Sequence, residues 1–190
     1  MIILLEKYGC KPQISDQYEP IYQLAKNLSS NEHLNSCSGF RIQLGSSSTP
    51  FPTEDLIGPP PCYNTNGDAI YIGSAIFRKS IHPCKIEPHL AVPCSVPFNN
   101  RSIAHTGCYD LLPFNSDIME FVLMSQRHFP AGRKLVKGGY DQDGTLLYHG
   151  VATLNGIRIP GSISHRWPGC NIIWDNTLHL VCSDYEILCV

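Results

Sequence analysis

The sequence predicts an all-β protein made of two tandem, pseudo-symmetric repeats that form a β-sandwich or flattened barrel, preceded by a short helical extension. Three observations predict it. The 190 residues include 15 Gly and 15 Pro but only 16% charged residues, a composition dense in turns and suited to a buried core. A segment of the chain recurs 77 residues further on. Each copy of that segment places Asn-Gly or Asp-Gly ahead of a run rich in β-branched and aromatic residues.

The recurrence fixes the organisation, because self-similarity at a constant period means one structural unit used twice. Tyr63, Gly67, Tyr71, Gly73 and Ala75 are answered by Tyr140, Gly144, Tyr148, Gly150 and Ala152, each 77 positions later. The offset holds through Pro83 and Pro160 to Ile86 and Ile163. Beyond that, Cys108-Tyr109-Asp110-Leu111-Leu112 is answered by Asp184-Tyr185-Glu186-Ile187-Leu188 with an offset of 76, so one residue differs in the loop between. Upstream, Phe51-Pro52 corresponds to Phe129-Pro130 and Phe40 to Phe121. The expected units are 1–38, an extension; 39–113, the first repeat; and 120–190, the second.

Within each repeat the turns are legible. Asn66-Gly67 and Asp143-Gly144 predict two-residue hairpin turns, since Asn or Asp followed by Gly tolerates positive φ. Strands over 69–77 and 145–154 follow them. Asn99-Asn100 and Asp175-Asn176 mark a second turn, after which Thr177 to Val181 begins as an alternating, half-buried strand. In the extension, Tyr18, Ile21, Tyr22, Ala25 and Leu28 recur at three- and four-residue spacing and predict an amphipathic helix over 15–28 that covers the repeat body.

Charge and motifs exclude several function classes. A net charge of −2 with no run of Lys or Arg leaves no footprint for a nucleic-acid backbone. Met1 to Leu5 is apolar but stops at Glu6 and Lys7, too short for a signal peptide or a membrane span. The cytosol is the expected compartment, with unconventional export as the route outside it. There the nine cysteines act mainly as small buried hydrophobes. His82, Cys84, His89, Cys94, His105 and Cys108 contain no C-x-x-C pair, and the second copy replaces Cys84 and Cys94 by Gly161 and Asn171, so zinc is not expected. Asp141-x-Asp143-Gly144 begins like a calcium loop but lacks the closing Glu. No nucleophile elbow and no Gly-rich phosphate loop occur, so neither an enzyme nor a cofactor is expected.

Polar residues at the paired turns remain. Asp141 and Asp143 offer carboxylates, and an ionised carboxylate accepts strong hydrogen bonds from neighbouring hydroxyls, a common way to grip a sugar. The same two residues also suit simple turn building through local backbone bonds. His149, His165, Trp167 and Trp174 are candidates for ring faces against a ligand.

Taken in order, Phe129-Pro130-Ala131-Gly132, Gly138 to Gly144, Leu147-Tyr148, Gly150-Val151-Ala152, Ile159-Pro160-Gly161 and Tyr185 to Leu188 resemble the tandem DM-nine repeat proteins. The first copy keeps Asn66-Gly67, Ile70-Tyr71, Gly73, Ala75, Pro83-x-Lys85 and Tyr109 to Leu112. The best-understood members of that family are mannose-binding lectins of invertebrate innate immunity. The resemblance implies a non-enzymatic carbohydrate-binding protein with mannose-type glycans as partners, assembling as a homodimer. It also implies a sugar site formed by an Asp in the turn and a Lys that follows the Pro-Gly pair about twenty residues later. The second copy has Asp141 but Ser162 in the Lys position, and the first has Lys85 but Asn64 in the Asp position. The pair is split between the copies. The alternative is a protein-interaction or trafficking scaffold in which the repeat persists and the sugar site has decayed.

Overall fold

The computed structural model describes residues 41–45, 50–124 and 128–190. Among them fourteen strands are joined by antiparallel ladders into one open network, and helix is limited to a single turn, α1 (Glu54–Ile57). The all-β expectation is met, as open sheets rather than a closed barrel. The helix expected over 15–28 lies outside the described residues.

The first repeat contributes β1 (Ile42–Leu44), β2 (Cys62–Tyr63), β3 (Ala69–Ile76), β4 (Ile81–Ile86), β5 (Cys94–Phe98), β6 (Arg101–His105) and β7 (Tyr109–Leu112). The second contributes β8 (Glu120–Leu123), β9 (Lys137–Tyr140), β10 (Leu146–Leu154), β11 (Ile157–Ile163), β12 (Cys170–Trp174), β13 (Thr177–Val181) and β14 (Tyr185–Cys189). Pairings repeat with the sequence. β3 lies between β4 and β7 as β10 lies between β11 and β14, and β1 pairs β7 as β8 pairs β14. Leu188 faces Phe121, while Leu111 and Asp110 face Ile42 and Gln43. That register aligns Phe121 with Arg41, one residue away from the match with Phe40 expected from sequence.

Turn chemistry splits into two kinds. Asn99-Asn100, Asp175-Asn176 and Asn155-Gly156 have both residues at positive φ, as a two-residue hairpin turn with the twist of its strands requires. The turns at Asn66-Gly67 and Asp143-Gly144 differ from expectation. Asn64 N–H donates to Asp68 C=O and Gly67 N–H to Asn64 C=O, and Asp141, Thr145 and Gly144 repeat the pattern. Only the Gly has positive φ, so each is a three-residue loop closed by a left-handed Gly.

Alternation along the central strands sends side chains to two different cores. From β3 and its neighbours, Tyr71, Ala75, Cys84, Ile86, Val96, Tyr109 and Leu111 form the core of the first repeat. Ala152, Ile159, Ile163, Ile172, Tyr185 and Ile187 form that of the second. The opposite faces meet at a seam, where Ile72 and Leu112 pack with Val136 and Leu188, and Ile70 with Val151. Strands contact their own counterparts across it, β4 with β11, β5 with β12 and β6 with β13, the signature of a pseudo-twofold axis. β3 is therefore buried on both faces.

Ile81 of β4 pairs with Tyr140 of β9 and so joins the two repeats edge to edge. Gly139 makes this approach attainable: its φ is +140°, and a Cβ there would lie 2.1 Å from the Ile81 carbonyl oxygen. Gly139→Ala is expected to destabilise the protein by about 1–3 kcal/mol through overpacking and backbone strain, measured by urea denaturation. A loss within a few tenths of a kcal/mol would mean that the junction yields freely.

Candidate functional site

Each loop ahead of a long hairpin carries polar side chains to the surface, and they are used differently in the two repeats. In the second, Asp141 Oδ1 accepts the Gln142 N–H at 2.7 Å, and the side chain is 36% exposed. Its other oxygen has no partner among the described residues. Asp143 is occupied at both oxygens: Oδ1 accepts the Thr145 N–H and Oδ2 the Arg166 guanidinium. The Thr145 amide and then Arg166 hold its carboxyl down to about 2.

In the first repeat Asn64 is spent on its own loop. Its Oδ1 accepts the N–H of Asn66 and of Asp68, both at 2.9 Å, and its Nδ2 donates to Asp68 Oδ2 at 2.9 Å. Lys85 and Ser162 occupy equivalent places on β4 and β11 and face the seam rather than solvent, opposite Ile72 and His149 respectively. Lys85 is buried and ion-paired to Glu87, with Nζ 2.6 Å from Oε2. Ser162 is wholly buried, and its hydroxyl has no protein partner. Asp141 and Lys85 are not brought together. Asp141 follows the residue that pairs with Ile81, and Lys85 lies four residues along β4 from Ile81, on the order of 13 Å.

Sequence reasoning missed the residue that does face Asp141. His82 of the first repeat places Nε2 3.9 Å from Asp141 Oδ1, beyond hydrogen-bond reach. Both of its nitrogens are buried without a partner. Burial pulls its pKa down to about 4 despite the pull of Asp141 in the other direction, so the ring is neutral. It sits among Phe77, Phe98 and His105, with Phe77 and Phe98 stacked at 4.5 Å. The equivalent residue in the second copy is Ile159, so sequence offered only that asymmetry as a signal.

A second missed feature holds the seam itself. Arg41 Nη1 donates to Asp110 Oδ1 at 2.8 Å and to Ser74 Oγ at 2.9 Å. Its Nη2 donates to the Lys137 carbonyl at 2.7 Å and lies 3.0 Å from His149 Nε2. Burial pushes Asp110 up, while Arg41 and Ser74 pull it back. Burial, then the charge of Arg41, holds His149 well below its usual value. His149 is fully buried and Trp174 packs against the second core, so neither offers a free ring face.

Cysteine chemistry is muted. Among the described residues Cys62, Cys84, Cys94, Cys170, Cys182 and Cys189 are free thiols, all but Cys182 buried, as expected of small hydrophobes, while Cys108 is disulfide-bonded. Burial pushes the Cys62 thiol up to about 12 and raises Cys84 and Cys170 as well. No group of three His, Cys, Asp or Glu among the described residues is placed to hold a metal ion.

Two open concavities lie on the surface of the described residues. The larger, about 490 Å³, is lined by the Pro59-Pro60-Pro61 run with Pro113 and Phe114 and by no charged group. The smaller, about 200 Å³, is lined by Phe51, Asp68, Ala69, Tyr71, Pro88 and His89.

Fold, paired loops and seam define a two-repeat, all-β protein with polar groups at its hairpin loops and a buried polar network in its seam. Residues 64–181, more than half of the chain, match the model of the DM9 repeat, and the chain belongs to that family, the DM-nine family of the sequence resemblance. The fold is similar to that of the nematode sperm cell motility protein MFP2B, with a TM-score of 0.57 at 10% identity over 86% of this chain and 49% of that one. The chain thus spans about half the length of that protein. No curated protein matches the chain by sequence.

Proposed function

We propose that the protein binds carbohydrate without transforming it, with mannose-type glycans as the ligand class. Asp141 carries this reading. It alone of the five predicted residues keeps a half-exposed carboxylate with an oxygen free for ligand hydroxyls. The buried thiols Cys62, Cys84 and Cys170, raised above their usual range, supply no activated nucleophile, in keeping with a binding role. Asp141→Asn removes the charge but keeps the shape. Calorimetry with a mannose oligosaccharide is expected to show at least a tenfold weaker Kd for this variant, the loss of one charge-assisted bond. Equal affinity would remove Asp141 from the site, and a glycan array without signal would remove the reading.

One observation favours a scaffold instead. Lys85 is bound to Glu87, and Ser162 is buried in the other repeat, so neither copy presents the Lys that the family resemblance calls for. A specific protein partner retained by Asp141→Asn and lost on changing exposed Leu123 or Leu180 would favour the scaffold.

A further inference from the structure

The two repeats place their acidic loop residue on opposite sides of the same turn. In the second, the carboxylate stands at the first position, Asp141, and the last position is Thr145. In the first, the order is reversed, with Asn64 at the first position and Asp68 at the last. The two positions pair directly across the Asn64 N–H to Asp68 C=O bond, with their side chains in contact on one face, so the exchange moves the carboxylate from one strand of the hairpin to the other. There it lines the 200 Å³ concavity.

We infer that this concavity is a second binding site, in the first repeat, for a single uncharged pyranose ring; the inference rests on the carbohydrate-binding reading. Its apolar lining is the half-buried Phe51 with Pro88 beside it, and Phe51 rests on the buried Tyr71 at 5.1 Å, tilted by 48°. An apolar floor suits the C–H face of a sugar ring. Its rim is polar and accessible. Asp68 is held by the Asn64 amide, and His89 Nε2 lies 3.7 Å from Asp68 Oδ2, with the two side chains 40% and 37% exposed. Carboxylate and imidazole together accept from and donate to adjacent hydroxyls.

Size and charge narrow the ligand. A space of about 200 Å³ is several times the ≈ 30 Å³ share of a water molecule and smaller than the ~300–1,000 Å³ of drug-sized pockets, which matches one ring. His89 occupies one approach to Asp68, with Nε2 3.7 Å from Oδ2, so a bulky ammonium group has less access to that carboxylate than a hydroxyl. The second repeat supplies an internal comparison. It keeps the ring pair, Phe129 and Tyr148 at 5.3 Å, but has Thr145 in the place of Asp68. The aromatic pair is thus shared architecture, and the carboxylate belongs to the first repeat alone.

The test is a titration of the isotopically labelled full chain with methyl α-mannoside and, separately, N-acetylglucosamine and tetramethylammonium, followed by NMR. Saturable shifts at Phe51, Ala69, Tyr71 and His89 with either sugar are expected. The affinity should fall at least tenfold in Asp68→Asn and several-fold in His89→Gln, both surface changes that spare the core, and be unchanged in Asp141→Asn. Shifts confined to the Asp141 loop, or a response to tetramethylammonium alone, would overturn the second site while leaving the carbohydrate reading in place. Silence toward both sugars here, together with a blank glycan array, would overturn both.

Discussion

Arg41→Ala is expected to destabilise the protein by about 3–5 kcal/mol, the cost of leaving a buried charge without its partner. Arg41 closes the seam from outside the strands, with one guanidinium reaching Asp110, Ser74, the Lys137 carbonyl and His149. Truncation leaves Asp110 wholly buried and the Lys137 carbonyl without that donor. The sign with pH is set by burial. A carboxyl whose folded pKa is raised binds its proton more readily in the fold than in the unfolded chain, so acid favours the fold at this site. The deficit of Arg41→Ala should therefore shrink as pH falls, and Asp110→Asn in that background should recover part of it. Chemical denaturation across pH measures both. A deficit under 1 kcal/mol, or one that grows in acid, would mean that the network contributes little.

Acid lability of the native protein is the second large effect. His82, His105 and His149 all have depressed pKa values through burial. Each is protonated more readily when unfolded. Their contribution is complete above about pH 6.5 and drains away as pH falls below it. For His82, with a folded value of about 4, the loss is on the order of 3 kcal/mol by the time pH reaches that value. Asp110 works in the opposite direction, a single group against three. Unfolding free energy should thus fall steeply between about pH 6.5 and pH 4, and His82→Leu should flatten the slope. A stability that stays level over this range would show that the imidazoles take up protons without opening the fold.

The repeat was the most legible feature of the sequence, and it carried far. The offset of 77, then 76, translates into strand equivalences from β2 and β9 to β7 and β14, with the missing residue in the loop before β5 and β12. Alternation could place a residue on one face of a strand but not say which face the seam would claim. Lys85 looked available for this reason, although Glu87, two positions on and hence on the same side, was a visible partner. Asp141 and Asp143 were recognised as turn builders as well as ligand groups, and the turn uses Asp143, while the same use of Asn64 in the first repeat was not foreseen. Arg41 and His82 left almost no trace, because their partners lie across the seam and their counterparts, Phe121 and Ile159, are apolar. Contacts between repeats have no local pattern to read.

The seam has one more consequence, for descent. Were the two halves separate, identical chains, every substitution on the contact face would appear twice, and a guanidinium near the axis would meet its own image. Fusion lifts that constraint. One half holds Arg41 with Asp110, while the other has Phe121 in that place and pairs Glu186 with Arg158 from a different strand. Covalent linkage let the inherited symmetry of shape persist while the chemistry of the two halves diverged.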